Sequence, residues 1–241
     1  MKPLLFLHGW AQSQQIWFRQ RDRFPEALYL NLPGHGGADA VAADAWLDAL
    51  AEQLPETPCV LAGWSLGGEL ALALAQRFPE RIAALALIST TPRFRTAEDW
   101  DMGCNADLFA GFEAAVAGAS PRLLNRFFAL MLHGDDLSRS EYNALARLAV
   151  DRDRPVSAAG LRSGLELLAR LDLRAAMADI ALPTLVMHGE QDAIVSVDAG
   201  RWLADSIAGS RLELFSGCGH APLLTRAELF NTTLFNWWSR L

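Results

Sequence analysis

The chain is 241 residues long, 51% hydrophobic and 20% charged, enough to bury a sizeable core within the range of one large domain. Its formal net charge of −7 and pI near 5.2 exclude a general affinity for nucleic acid, whose phosphates demand clustered Lys and Arg. No apolar stretch approaches the roughly 18 to 20 residues that span a bilayer, and the apolar run within Met1 to Leu7 is too short for a signal-peptide core, so a cytoplasmic protein without membrane contact is expected. In chain order, β-rich runs at residues 4–7, 28–31, 59–62, 84–88, 184–188 and 211–215 alternate with helical patterns at 43–54, 66–78, 198–206 and 227–239. That alternation predicts an α/β fold with a mostly parallel sheet, and the continuous apolar strands predict cover on both faces. Residues 92–180 break the pattern and read as several helices, expected to form a cap inserted within the single domain 1–241, over the ligand-binding edge of the sheet. Cys59, Cys104 and Cys218 are odd in number and scattered, with no C-x-x-C pair, so reduced thiols are expected.

The strongest chemical signal is Gly63-Trp64-Ser65-Leu66-Gly67, a G-x-S-x-G between an apolar run and a helical one. So sharp a strand-to-helix turn needs glycines on both sides of the serine, because a Cβ there meets neighbouring backbone. It points the Ser65 hydroxyl outward at a helix N-terminus, where the dipole favours developing negative charge. A serine hydroxyl needs a base to take its proton and a carboxylate to orient that base, and in this type of site the acid and then the histidine follow in the chain. His220, on the small-residue loop Gly217-Cys218-Gly219-His220-Ala221-Pro222 after the last strand, is the expected base. Asp192, in Gly189-Glu190-Gln191-Asp192, is the expected acid, with Glu190 as the lesser candidate. His188 reads as a strand-ending residue, His133 as part of the cap, and His8 and His35 as loop-ordering residues. Two backbone donors must meet the oxyanion, and the amides of Leu66 and of Trp10, after His8-Gly9, are the candidates. No H-x-x-H, H-E-x-x-H or C-x-x-C spacing marks a metal site, and neither G-x-G-x-x-G nor G-x-x-x-x-G-K-[ST] follows a strand, so no metal and no cofactor is expected.

His8-Gly9-Trp10, Asn31-Leu32-Pro33-Gly34-His35-Gly36, Gly63 to Gly68 and Gly219-His220-Ala221-Pro222 together resemble the α/β-hydrolase superfamily over essentially the whole chain. Within it, Pro79-Glu80-Arg81, Leu108-Phe109-Ala110-Gly111-Phe112, Arg126-Phe127-Phe128-Ala129-Leu130 and Gly164-Leu165-Glu166-Leu167-Leu168 are similar to the pimeloyl-[acyl-carrier protein] methyl ester esterases of biotin biosynthesis. The resemblance implies an esterase whose partner is an acyl carrier protein bearing a pimeloyl methyl ester, docked on cap arginines. By motif, Arg122, Arg126 and Arg139 occupy such positions, Asn143 stands at another, and Arg147, one turn on, could replace it; Asp135, Asp136 and Glu141 nearly balance this charge. Trp64, Leu66 and Phe127 are expected to line an apolar channel, with Met131 where the family pattern has Gln. The chain begins almost directly in its first strand, so the N-terminal edge strands usual in the fold are expected to be absent. A monomer is expected. Two other readings stay open: a general carboxylesterase, thioesterase or carbon–carbon bond hydrolase with the same triad, and a ligand-binding protein in which catalysis is vestigial.

Overall fold

The apolar runs become parallel strands because each is too short and too continuously apolar to be covered by anything but a sheet with helices on its faces. In the computed structural model, residues 1–117 and 121–241 are described, the side chains of residues 121–124 excepted. The strands are β1 (Leu4–Leu7), β2 (Leu28–Leu30), β3 (Cys59–Trp64), β4 (Ile82–Ile88), β5 (Thr184–Gly189) and β6 (Arg211–Phe215). They pair in parallel in the order β2-β1-β3-β4-β5-β6. Strands β1, β3 and β5 are buried throughout, whereas the edge strands β2 and β6 are partly exposed, so two-sided cover is a property of the centre only. Strand β3 runs past the apolar run through Gly63 and Trp64, because these residues still pair with Leu87 and Ile88 of β4.

Helices α1 (Trp46–Ala51) and α2 (Leu66–Arg77) follow β2 and β3. The first is shorter than its pattern: residues 43–45 form a 3₁₀ turn and Pro55 lies just beyond, disfavouring helix at the residue before it. Between β4 and β5 come α3 (Ala106–Ala117), α4 (Pro121–Met131), α5 (Arg139–Ala149) and α6 (Ala158–Arg170). Then α7 (Val197–Ser206) separates β5 from β6, and α8 (Pro222–Thr225) and α9 (Ala227–Trp238) close the chain. Among the described residues no helix is long and apolar enough to cross a membrane.

The chain leaves β1 toward β2, then returns across β1 to β3 and proceeds outward to β6. Connections therefore diverge between the carboxyl ends of β1 and β3, and a crevice opens there, the place where open α/β sheets bind ligands. The inserted helices rest on this end of the sheet. Ser157 N donates to Gly34 O at 2.8 Å, and Trp10 Nε1 donates to Leu161 O at 2.9 Å.

His8 and His35 fix the loops at this end. His8 accepts from Leu32 N at 3.0 Å through Nε2 and donates from Nδ1 to Gly9 O at 2.8 Å, while His35 Nδ1 donates to Pro33 O at 2.9 Å. Burial, helped by the neighbouring His35, pushes His8 well below the usual imidazole range, and burial lowers His35 to about 4. In the unfolded chain both rings take a proton near pH 6.5, so below that pH the unfolded state binds more protons than the folded one and stability falls with pH. The urea midpoint is expected to drop between pH 7 and pH 5, and to drop less in a His35→Gln variant; an equal drop in both would place the acid sensitivity elsewhere.

Candidate active site

Ser65 stands between the last paired residue of β3 and the first residue of α2, at φ 55° and ψ −122°. Its N–H donates to Ile88 O at 2.9 Å, and its carbonyl accepts from Gly68 N at 2.8 Å and from Thr90 Oγ1 at 2.7 Å. A Cβ on Gly63 would run into the Gly67 carbonyl, and one on Gly67 into the carbonyls of Leu7 and His8, so the turn closes only because both positions are bare. The loop after β1 comes alongside: a Cβ on Gly9 would lie 3.2 Å from Ser65 Cβ. The amides of Trp10 and Leu66 make no hydrogen bond among the described residues. Two donors thus remain free on the segments that flank the serine.

Asp192 and His220 meet across the ends of β5 and β6. His220 Nδ1 donates to Asp192 Oδ2 at 2.7 Å, with both side chains fully buried. Asp192 Oδ1 accepts from Ile194 N at 2.8 Å and Val195 N at 3.0 Å. Burial pushes the Asp192 carboxyl up, but the adjoining His220 and His188 outweigh it and hold it well below the usual carboxylate range. With its Nδ1–H hydrogen-bonded to Asp192, His220 keeps a lone pair on Nε2, which is buried and has no partner among the described residues. Glu190, the lesser candidate for the acid, is exposed, as is His133 on the cap. His188, read as a strand-ending residue, is the penultimate residue of β5, and its Nε2 also lies 3.2 Å from the same Asp192 Oδ2.

Two residues expected in an acyl channel bond to the His220 loop. Trp64 is buried and its Nε1 donates to His220 O at 2.8 Å, and Met131 O accepts from His220 N at 2.9 Å. Asp135, expected as a surface charge opposing the arginines, turns its fully buried side chain inward. Its Oδ2 accepts from Gly219 N at 3.0 Å and its Oδ1 faces Arg226 Nη1 at 3.5 Å. Phe127 does line a cleft, of about 330 Å³, with Leu108, Phe112 and Leu130 between α3 and α4, and its ring packs edge-on against Trp10 at 5.1 Å. Leu66 is buried where α6 approaches, since a Cβ on Gly164 would come 3.4 Å from its side chain. Arg126, at the cleft, and Arg139 and Arg147, on α5, are exposed. The side chain of Arg122 lies outside the described residues.

A serine at a strained strand-to-helix turn, with a buried His–Asp pair at the neighbouring strand ends, is the layout of a serine hydrolase. The chain belongs to the α/β-hydrolase fold family, whose model matches residues 2–227. It is 42% identical, over 93% of each chain, to the pimeloyl-[acyl-carrier protein] methyl ester esterase of Aromatoleum aromaticum. It is also 35% identical to the enzyme of the same name from Nitrosomonas europaea, over 94% of this chain and 92% of that one. Among solved structures, an esterase from Exiguobacterium antarcticum superposes with a TM-score of 0.85 at 25% identity, covering 98% of this chain and 91% of that one.

Asp135 ties the cap to the His220 loop through a buried N–H, and a buried donor stripped of its acceptor costs about 1–3 kcal/mol. Asp135→Ala is expected to lower the unfolding free energy in urea by that amount. An unchanged value would mean that Gly219 N–H finds another acceptor.

Proposed function

We propose that this chain is a carboxylic ester hydrolase that removes the methyl group from a pimeloyl methyl ester carried by an acyl carrier protein, a step of biotin synthesis. The observation that carries the chemistry is the Asp192–His220 pair, whose imidazole packs 5.3 Å from the ring of Trp64, the residue before Ser65, with Nε2 unpartnered among the described residues. The similarity to the two esterases supports the substrate.

In this reading Ser65 Oγ attacks the ester carbonyl while its proton passes to His220 Nε2, and the imidazolium is steadied by ionised Asp192. The Trp10 and Leu66 amides receive the oxyanion, each such donor being worth roughly 3–4 kcal/mol when removed. The C–OCH₃ bond breaks, and methoxide leaves as methanol with the proton from His220. Water, deprotonated by the same nitrogen, then attacks the acyl-enzyme and frees the carboxylate and Ser65. Phe127, with Phe112 and Leu108, offers apolar surface for the methylene chain. Trp64 and Met131 act through the His220 loop. Arg126, Arg139 and Arg147, with Arg122, would meet the acidic carrier.

If the three residues act as one unit, Ser65→Ala, His220→Ala and Asp192→Asn each lower kcat on the order of 10³-fold or more, and combining them costs little further. Near-additive losses would contradict the assignment. For the carrier, charged rims govern chiefly encounter rate and salt dependence. Reversing Arg139 and Arg147 to Glu should raise KM for the carrier-bound ester and weaken its salt sensitivity, leaving a small p-nitrophenyl ester unaffected. Parity with the unaltered protein on both substrates would place the carrier elsewhere. Turnover of the p-nitrophenyl ester beyond one equivalent separates an enzyme from a ligand-binding protein. Restored growth without biotin in a strain lacking this esterase separates the assigned substrate from a general ester.

A further inference from the structure

Asp192 is held by two histidines. His188, at the end of β5 and four residues before the acid, is fully buried, and its Nε2 lies 3.2 Å from Asp192 Oδ2 and 3.1 Å from Val195 O. A carbonyl oxygen can only accept, so Nε2 carries the proton, donates it to Val195 O, and turns its positive N–H edge to the carboxylate 3.2 Å away. The other ring nitrogen, Nδ1, is buried with no partner among the described residues, as expected of a bare lone pair, since an N–H there would be an unmet donor. Helix α7 seats the ring: a Cβ on Gly200 would lie 2.5 Å from Nδ1, so this glycine makes room for an imidazole pressed toward the acid.

Three hydrogen bonds reach the carboxylate, Ile194 N and Val195 N on Oδ1 and His220 Nδ1 on Oδ2, and the Nε2 edge of His188 faces Oδ2 from 3.2 Å. The two backbone amides fix one oxygen, leaving the plane of the carboxylate to be set by what meets the other. We propose that His188 is a positioning residue of the reaction: its Nε2–H edge, held by Val195 O and 3.2 Å from Asp192 Oδ2, orients that oxygen toward His220. It touches no reacting atom and acts through Asp192. The inference rests on the reading of Ser65, His220 and Asp192 as the catalytic unit.

The test compares His188→Leu, which keeps bulk and removes the donor, with His188→Gln, whose amide N–H can reach the position of Nε2. On a p-nitrophenyl ester, His188→Leu is expected to lower kcat about tenfold with KM unchanged, the factor appropriate to one lost hydrogen bond, and His188→Gln to stay within about threefold of the unaltered enzyme. A His188→Leu variant with full kcat, or a His188→Gln variant as impaired as His188→Leu, would show that the ring merely fills space and would overturn the proposal. Should His188→Leu fail to fold, nitrogen NMR of the unaltered protein with ¹⁵N-labelled histidine decides. The proposal requires the Nε2–H tautomer at His188 with the Nδ1–H tautomer at His220, and Nδ1–H at His188 would overturn it. Asp192→Asn in the same series distinguishes the two failures. If it retains full kcat, the catalytic reading falls and this inference with it, whereas an impaired Asp192→Asn beside an intact His188→Leu removes the inference alone.

Discussion

Everything at the site is referred to one residue held where a side chain rarely sits. Ser65 has φ 55° and ψ −122°, a conformation that costs on the order of 1–3 kcal/mol and persists only where its surroundings over-determine it. Those surroundings are the β3–β4 ladder, which ends on Ser65 N, the Thr90 hydroxyl on its carbonyl, and the start of α2, whose first turn also uses that carbonyl. The strain is balanced by the most buried part of the sheet.

The second constraint is on the histidine. Its loop is gripped from the body by Trp64 Nε1 and from the cap by Met131 O, while Asp135 holds the adjoining Gly219. Arg226 reinforces the same corner by donating to Gly217 O. The C-terminal end of α4 and the turn after it are thus part of the support of His220.

Much of this was legible in the sequence. The glycines at 63 and 67 declare a turn that tolerates no side chain, and the order of serine, acid and histidine points to Asp192 and His220, whose side chains the fold brings within 2.7 Å of each other. The pattern of apolar runs located each strand, and pairing rather than apolarity extended β3 to the serine. What could not be read were contacts between segments distant in the chain. Trp64 looks like channel lining because a tryptophan beside a nucleophile is an apolar surface, and only the fold puts its N–H on His220 O. Asp135 looks like a solvated charge, and only the fold buries it against Gly219. His188 left a trace, an imidazole at a strand end four residues before the acid, but that spacing is informative only once the β5 turn is known to fold back on itself.

The central claim, that Ser65 attacks the methyl ester of a carrier-bound chain, is tested most directly by rapid quenching of the enzyme with pimeloyl methyl ester on its carrier and measuring intact mass. Attack at the methyl ester expels methanol and leaves the carrier still attached, so the transient species should have the mass of enzyme plus the whole acylated carrier less one methanol, linked through Ser65. A small methyl pimeloyl adduct with free carrier, or a linkage to any residue other than Ser65, would contradict the account.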